Sequence, residues 1–309
     1  MESKPILYYF YTSYYSQKTL MFLNEKGIDF DGHIVNLPGQ ETQSPWYLKI
    51  NPKGEIPAFK HGDKIISGSD NIMEYIEEHN LGKRSLIPKD SAEAKKHKYW
   101  MSKLETLPIG PLTYGTAYHP NIRKVKKGPI IGSQISRMTT FMDNRSSILR
   151  QKAAENAGTP AEAVLLAKAE THDKEHYLFS SEVEYKRMLK EMNETLDEIE
   201  SELESHEEKP WLTGDCFTQA DCILAVSLNR LHWIGHEDYV INEKRPLVTQ
   251  YWYEVQAREE FEDSTYVPNL ALYMLKDIIK INSQMIFGYT LLPIVAGLVY
   301  CVLKSYFPQ

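Results

Sequence analysis

A run of eighteen residues without any charge, residues 286–303, lies close to the C-terminus. At ~1.5 Å of rise per residue it forms a helix of about 27 Å, near the ~30 Å thickness of bilayer hydrocarbon. Tyr289 and Tyr306 stand near its two ends, where aromatic side chains favour the membrane interface. The run therefore predicts a transmembrane tail anchor that leaves most of the chain facing the cytosol. A buried core helix is the alternative.

Length, charge and cysteine content limit the number of domains, the kind of partner and the cellular compartment of the chain. A chain of 309 residues has room for two domains, and a net charge of −7 argues against a nucleic-acid partner. The cysteines are Cys216, Cys222 and Cys301, so no disulfide framework crosses the first 215 residues. This usage fits a reducing compartment. The apolar stretch 5–10 is too short for a signal peptide, and we expect a buried strand there.

The first ~80 residues alternate between strand and helix patterns. Short β-prone runs are separated by segments with helical spacing of apolar residues. The predicted strands are 6–12, 30–37 and 64–66, and the predicted helices are 14–27 and 70–79. This order predicts a small mixed sheet covered by helices.

Residues 51–59 read NPKGEIPAF and form the most specific short motif in the chain. Gly54 permits a tight turn, and Pro57 stands just before a predicted strand. A cis bond before Pro57 would turn the Ile56 main chain outward. Its N–H and C=O would then pair with an extended, peptide-like ligand as a strand edge does. The alternative is a loop that simply enters a strand.

Two sequence patterns predict helices in the second half of the chain. Thr218 and Asp221 have the spacing of a capping box at the start of an apolar helix. Apolar residues also recur at spacings of three and four, which predicts a helix over 181–206. They are Tyr185, Leu189, Met192, Leu196, Ile199 and Leu203. Either this stripe packs on the core of the chain, or the extended helix and an insertion before it, at about 108–176, bind a protein partner.

Several of these stretches resemble glutathione transferases. Residues 13–18 (SYYSQK), 51–57 (NPKGEIP) and 67–72 (SGSDNI) resemble their thioredoxin-like domain, and 211–221 (WLTGDCFTQAD) resembles their helical domain. The resemblance implies an α/β domain at 1–82 followed by an all-α domain at 91–280. An insertion at about 108–176 is longer than a compact transferase needs, and the membrane helix at 286–303 completes the chain.

The resemblance also implies a glutathione site. Ser13 would hold the thiolate, Ile56 with Pro57 would bind the cysteinyl main chain, and Ser69 with Asp70 would hold the γ-glutamyl group. The last role agrees with the preference of a helix N-terminus for an anion. Glutathione is the only cofactor implied.

No metal site is expected from the sequence. His172 and His176 are four residues apart and can share one helix face. Zinc normally takes three or four protein ligands, and the cysteines are far away in sequence.

The chain has, in this order, a transferase-like α/β domain, a long insertion, a transferase-like helical domain and an uncharged C-terminal run. This order, over nearly the whole chain, resembles the ganglioside-induced differentiation-associated protein 1 family. The resemblance is carried by the tail and by the stretches 16–18 (SQK), 54–57 (GEIP), 209–212 (KPWL) and 244–246 (KRP). It implies a homodimer on the cytosolic face of the mitochondrial outer membrane that influences mitochondrial fission and network shape. Another cytosol-facing organelle membrane is the alternative location.

Two functions remain open. In the first, the chain is a membrane-tethered adaptor or ligand sensor, whose partner binds through the insertion and the helix 181–206. In the second, it is an active transferase that conjugates glutathione to hydrophobic electrophiles. Gly68 replaces the acidic residue of the transferase motif, and Tyr14 and Tyr15 replace small residues. These departures favour the first function, whereas the hydroxyl groups of Ser13 and Ser69 keep the second open.

Overall fold

The structure, a computed structural model, describes residues 4–123, 132–206 and 209–267. Its contacts divide the chain into a unit of residues 1–266 and a unit of residues 267–309. The predicted anchor at 286–303 lies outside the described residues. Within the described ranges, every helix is too short or too polar to cross a membrane.

A four-stranded mixed sheet forms the N-terminal part of the first unit. Its strands are β1 (Ile6–Tyr9), β2 (Asp31–Ile34), β3 (Ala58–His61) and β4 (Lys64–Ser67), in the order β2-β1-β3-β4. β1 runs parallel to β2, while β3 is antiparallel to both β1 and β4. The predicted strands are confirmed. The first is shorter than expected because a helix begins at Tyr14, with Ser13 as its cap.

Three helices accompany this sheet, namely α1 (Tyr14–Glu25), α2 (Pro45–Ile50) and α3 (Ser69–Glu78). α1 buries Leu20, Phe22 and Leu23 in the main core, and it ends before Gly27, whose φ of 61° stops the helix. The helical spacing had predicted both α1 and α3. Sheet and helices together give the thioredoxin-like arrangement that the sequence implied.

The rest of the unit is helical within the described residues. The helices are α4 (Ser91–Glu105), α5 (Ile109–Tyr118), α6 (Gly132–Glu155), α7 (Pro160–Ser180), α8 (Glu182–Glu204), α9 (Gln219–Trp233), α10 (Glu237–Val240), α11 (Pro246–Gln256) and α12 (Glu259–Thr265). α9 is buried along most of its length and forms the centre of the core. Asp221 reaches back to accept the N–H and the hydroxyl of Thr218, both at 2.8 Å. The predicted capping box is therefore confirmed.

The helix predicted over 181–206 is α8, and its apolar stripe faces inward. The hydroxyl of Ser181 caps it by accepting the N–H of Glu184. All six stripe residues, from Tyr185 to Leu203, are buried in the main core. The alternative that the stripe packs on the core of the chain is therefore confirmed. Binding of a protein partner through this helix and the insertion stays a prediction.

The stretch predicted as an insertion holds α5 and a hairpin of two long helices, α6 and α7. A tight turn at Gly158, with φ of 78°, joins them. A second apolar cluster lies between them and is built from small residues and leucines: Leu149, Ala153, Ala161, Leu165, Ala169 and, from α2, Leu48. The α6–α7 hairpin therefore packs against α2, next to the NPKGEIP segment.

Candidate functional site

The Ile56–Pro57 peptide bond is cis, as the sequence predicts. Buried side chains hold the loop before it. The carbonyl oxygen of Glu55 accepts the Asn51 amide at 2.7 Å and the Tyr47 hydroxyl at 2.6 Å. Asn51 and Tyr47 are both almost fully buried. Ile56 is therefore presented from a loop that is fixed on its inner side.

The main chain of Ile56 is free to bind a ligand. Among the described residues, neither its N–H nor its C=O has a hydrogen-bond partner. The next carbonyl, that of Pro57, accepts the N–H of Gly68 at 3.1 Å and so fixes the start of α3 beside this edge. Ile56 is half-buried and lies two residues before β3. An unpaired main-chain donor and acceptor at such a position can pair with an extended peptide as a strand edge does.

Helix α3 begins at this edge with Ser69 and Asp70. No side chain caps its first turn, so its N–H groups can donate hydrogen bonds to an anion. Ser69 is buried, and its hydroxyl lies 3.3 Å from Oδ1 of Asp70. The N-cap, Gly68, has φ of 88°, a conformation that favours glycine. An acidic side chain at position 68 would have to adopt this strained conformation.

Lys18 of α1 was not predicted as a site residue. Its side chain is almost fully buried and forms an ion pair with the half-exposed carboxylate of Asp70. The pair links α1 to α3 and neutralises Asp70 on its inner side. One sequence signal was present. Lys18 precedes the buried Phe22 by four residues, so it lies on the inner face of α1.

Ser13 lies at the N-cap of α1, where its hydroxyl oxygen accepts the N–H of Ser16 at 3.3 Å. That bond uses an oxygen lone pair and leaves the hydroxyl proton to donate. Tyr14 turns away into the core, where its hydroxyl lies 3.0 Å from Oγ of Ser227. Of the two bulky tyrosines, Tyr15 alone is exposed, by 48%. Burial and then the nearby Tyr114 raise the pKa of Tyr15.

The fold thus brings the predicted site residues to one edge of the sheet. Ser13 comes from the start of α1, Ile56 and Pro57 from the entry to β3, and Ser69 with Asp70 from the start of α3. The arrangement offers a hydroxyl group, an unpaired main-chain donor and acceptor, and a helix N-terminus without a side-chain cap. A cavity of about 330 Å³ lies elsewhere, on α6, and contributes nothing to this edge.

A second residue that the sequence analysis missed is Lys168 of α7. Its ammonium lies 2.8 Å from Oε1 of Glu55 and 3.4 Å from the carbonyl oxygen of Gly54. The α6–α7 hairpin therefore contacts the loop that presents Ile56. Sequence alone could not pair Lys168 with a residue more than a hundred positions earlier.

Comparison with known proteins agrees with this architecture. Residues 12–79 match the family model for the glutathione S-transferase N-terminal domain, and residues 182–251 match that for the C-terminal domain. The fold is shared with the solved beta-etherase LigF from Sphingobium sp. strain SYK-6. That match has a TM-score of 0.59 at 20% identity and covers 85% of this chain and 98% of the etherase. The fold of this chain is therefore that of glutathione transferases.

Two curated relatives extend the match. The human ganglioside-induced differentiation-associated protein 1-like 1 is 29% identical over 273 residues, covering 83% of this chain and 72% of the relative. The tetrachloro-p-hydroquinone reductive dehalogenase of Sphingobium chlorophenolicum is 26% identical, covering 85% of this chain and 96% of the dehalogenase. The chain is therefore similar both to glutathione transferases and to the ganglioside-induced differentiation-associated protein 1 relatives.

Proposed function

We propose that this protein is a membrane-tethered ligand sensor or adaptor that binds glutathione at the Ile56 edge. From the cytosolic face of the mitochondrial outer membrane it regulates mitochondrial fission and network shape. The family resemblance supports the location and the cellular role, with another cytosol-facing organelle membrane as the alternative. The uncharged run at 286–303 supports the tether. A homodimer is part of the proposal, on the same resemblance.

The unpaired main chain of Ile56 beside the start of α3 is the observation that carries glutathione binding. A γ-glutamyl tripeptide brings an extended main chain for Ile56 and a carboxylate for the helix terminus. The outer, half-exposed side of the Asp70 carboxylate, beyond its pair with Lys18, adds an acceptor for the ammonium group of the γ-glutamyl residue. Donor N–H groups next to a carboxylate fit an end group that carries both a carboxylate and an ammonium better than they fit a simple anion.

Calorimetric titration of the full-length chain with glutathione tests this proposal. Ser69→Ala removes a buried hydroxyl at the ligand end of α3, and we expect about tenfold weaker binding. Ser67→Ala, two residues earlier on β4, is the matched control and should bind as the wild type does. Absence of binding to the folded wild-type chain would rule out the glutathione site.

A working transferase is the second candidate, because the hydroxyl proton of Ser13 is available. A hydrogen bond from Ser13 to the glutathione sulfur would stabilise the thiolate, which is the nucleophile. A relative is named as a reductive dehalogenase of a chlorinated hydroquinone, which supports a hydrophobic electrophile as the second substrate.

Conjugation assays separate the two candidates. If the wild type conjugates glutathione, Ser13→Ala should lower the rate by about 100-fold, the cost of losing one donor to a developing anion. Ser13→Thr keeps both the hydroxyl and the helix cap and should retain most of the activity. Undiminished conjugation by Ser13→Ala would remove Ser13 from the mechanism.

A further inference from the structure

Lys168 reaches from the insertion to the loop that presents Ile56. An ammonium group has three hydrogens, and Lys168 directs them toward two protein acceptors, the carboxylate of Glu55 and the carbonyl of Gly54. One hydrogen therefore remains for a further acceptor. The side chain is 21% exposed, so a ligand can reach it. Burial lowers the pKa of Lys168, while its pairing with Glu55 favours the charged form.

Two further cationic side chains act on this lysine. Arg145 of α6 and Lys53 of the NPKGEIP segment both lie close enough to act on the pKa of Lys168. Glu55 is the carboxylate that acts on it from the same surroundings, and it is half exposed. Among the charged side chains that act most on Lys168, Arg145 and Lys53 are cationic and Glu55 is anionic, which favours an anion at this end of the Ile56 edge.

The two ends of the edge differ in charge. At the α3 end, uncapped N–H groups lie beside Asp70, whose carboxylate pairs with Lys18 on its inner side and is 55% exposed on its outer side. That end suits a group carrying both a carboxylate and an ammonium. At the Lys168 end, the ammonium of Lys168 keeps a hydrogen to donate beyond its contacts with Glu55 and Gly54, which suits a lone carboxylate. A γ-glutamyl tripeptide has this polarity, with an amino acid head group at one end and a single carboxylate at the other.

The spacing of the two ends also fits a short peptide. The start of α3 is tied to Pro57 by the Gly68 hydrogen bond, and Lys168 is tied to Gly54. Gly54 and Pro57 are three residues apart, and three extended residues span at most about 11 Å. This is the reach of a tripeptide laid along the same edge.

We propose that Lys168 is a specificity-determining residue that donates a hydrogen bond to the C-terminal carboxylate of a tripeptide bound along Ile56. The inference rests on the proposed glutathione site. It gives the insertion a role in ligand choice, because the α6–α7 hairpin completes the second end of the site. The apolar cluster around Leu48 holds the hairpin in place for that purpose.

Titration with two ligands tests the inference on the full-length protein. Glutathione carries the free glycyl carboxylate, and its glycyl ethyl ester lacks that charge. The wild type should prefer glutathione by about tenfold, the value of one charge-assisted hydrogen bond. Lys168→Met keeps the apolar stem and removes the ammonium, so it should weaken glutathione binding by about tenfold and leave binding of the ester unchanged.

Lys174→Met is the matched control, because Lys174 is an exposed lysine on the same helix. It should not change the affinity for either ligand. Equal affinity of the wild type for both ligands, or an equal loss for both in Lys168→Met, would overturn the role of Lys168 and leave the glutathione site standing. A folded wild type that binds neither ligand would overturn the inference and the proposed glutathione site together.

Discussion

At the scale of single residues, a buried polar network joins α5, α8 and the start of α10. The hydroxyl of Tyr185 lies 2.8 Å from Oγ1 of Thr116 and 2.7 Å from Nε2 of His236. Burial lowers the pKa of His236 to about 4, with a smaller opposing effect from Asp238. His236 is therefore neutral in the folded protein at neutral pH.

This network predicts a pH dependence of stability. Between pH 6.5 and 4 the unfolded chain protonates His236 and the folded chain does not, so the unfolded state binds more protons. The free energy of unfolding should therefore fall on acidification across that range, by about 1.4 kcal/mol per pH unit from this residue. Urea unfolding measured across this range should show a shallower pH slope in His236→Gln than in the wild type. Identical slopes would contradict the assignment.

Some site residues could be predicted from the sequence around them, whereas others could not. Ile56, Ser69 and the capping pair at Asp221 belong to short motifs whose geometry is set by nearby residues. Lys18 and Lys168 depend on partners brought close only by the fold, Asp70 for the first and Glu55 for the second. Sequence spacing carries no direct signal for such pairs.

At the scale of elements, periodicity located α1, α3 and α8 but did not show where the α6–α7 hairpin would pack. The stretch from Arg150 to Glu170 is rich in alanine and charge, and it has no strong apolar stripe. Its inner face uses alanines, which permit close approach of the two helices and of Leu48 from α2. A stripe of small residues is hard to distinguish from a solvated helix by composition.

The contact of the hairpin with α2 can be tested at Leu48. This side chain is 6% exposed within the second apolar cluster, so Leu48→Ala should destabilise the protein by about 2–5 kcal/mol. It should also speed proteolysis within α6 and α7. Leu166→Ala is the control, because Leu166 is 40% exposed on α7 and should change stability by less than about 0.5 kcal/mol. Equal effects of the two substitutions would exclude the docking role of Leu48.

At the scale of the whole molecule, the chain combines a transferase fold with a segment predicted to enter a membrane. The matched ranges 12–79 and 182–251 flank the helices from α4 to α7. The motifs that revealed the fold lie mainly in or beside those ranges. The insertion could be recognised by its extra length, but its contact with the Ile56 loop became visible only in the folded chain.

Removal of residues 286–309 tests the anchor. The truncated chain should move from the membrane fraction to the soluble fraction after cell lysis and centrifugation. Val295→Lys places a charge in the middle of the run, at a cost of about 2.5–3.5 kcal/mol for insertion, and should act in the same direction. Val295→Leu should leave the distribution unchanged. A truncated chain that still sediments with membranes would contradict the anchor.

Hydrogen–deuterium exchange over residues 51–59 tests the central claim, that the Ile56 main chain binds glutathione. Without ligand, the Ile56 amide should exchange quickly because the described structure gives it no hydrogen-bond partner. With saturating glutathione, this amide should become protected. Binding of glutathione without protection of Ile56 would place the ligand elsewhere and contradict the account.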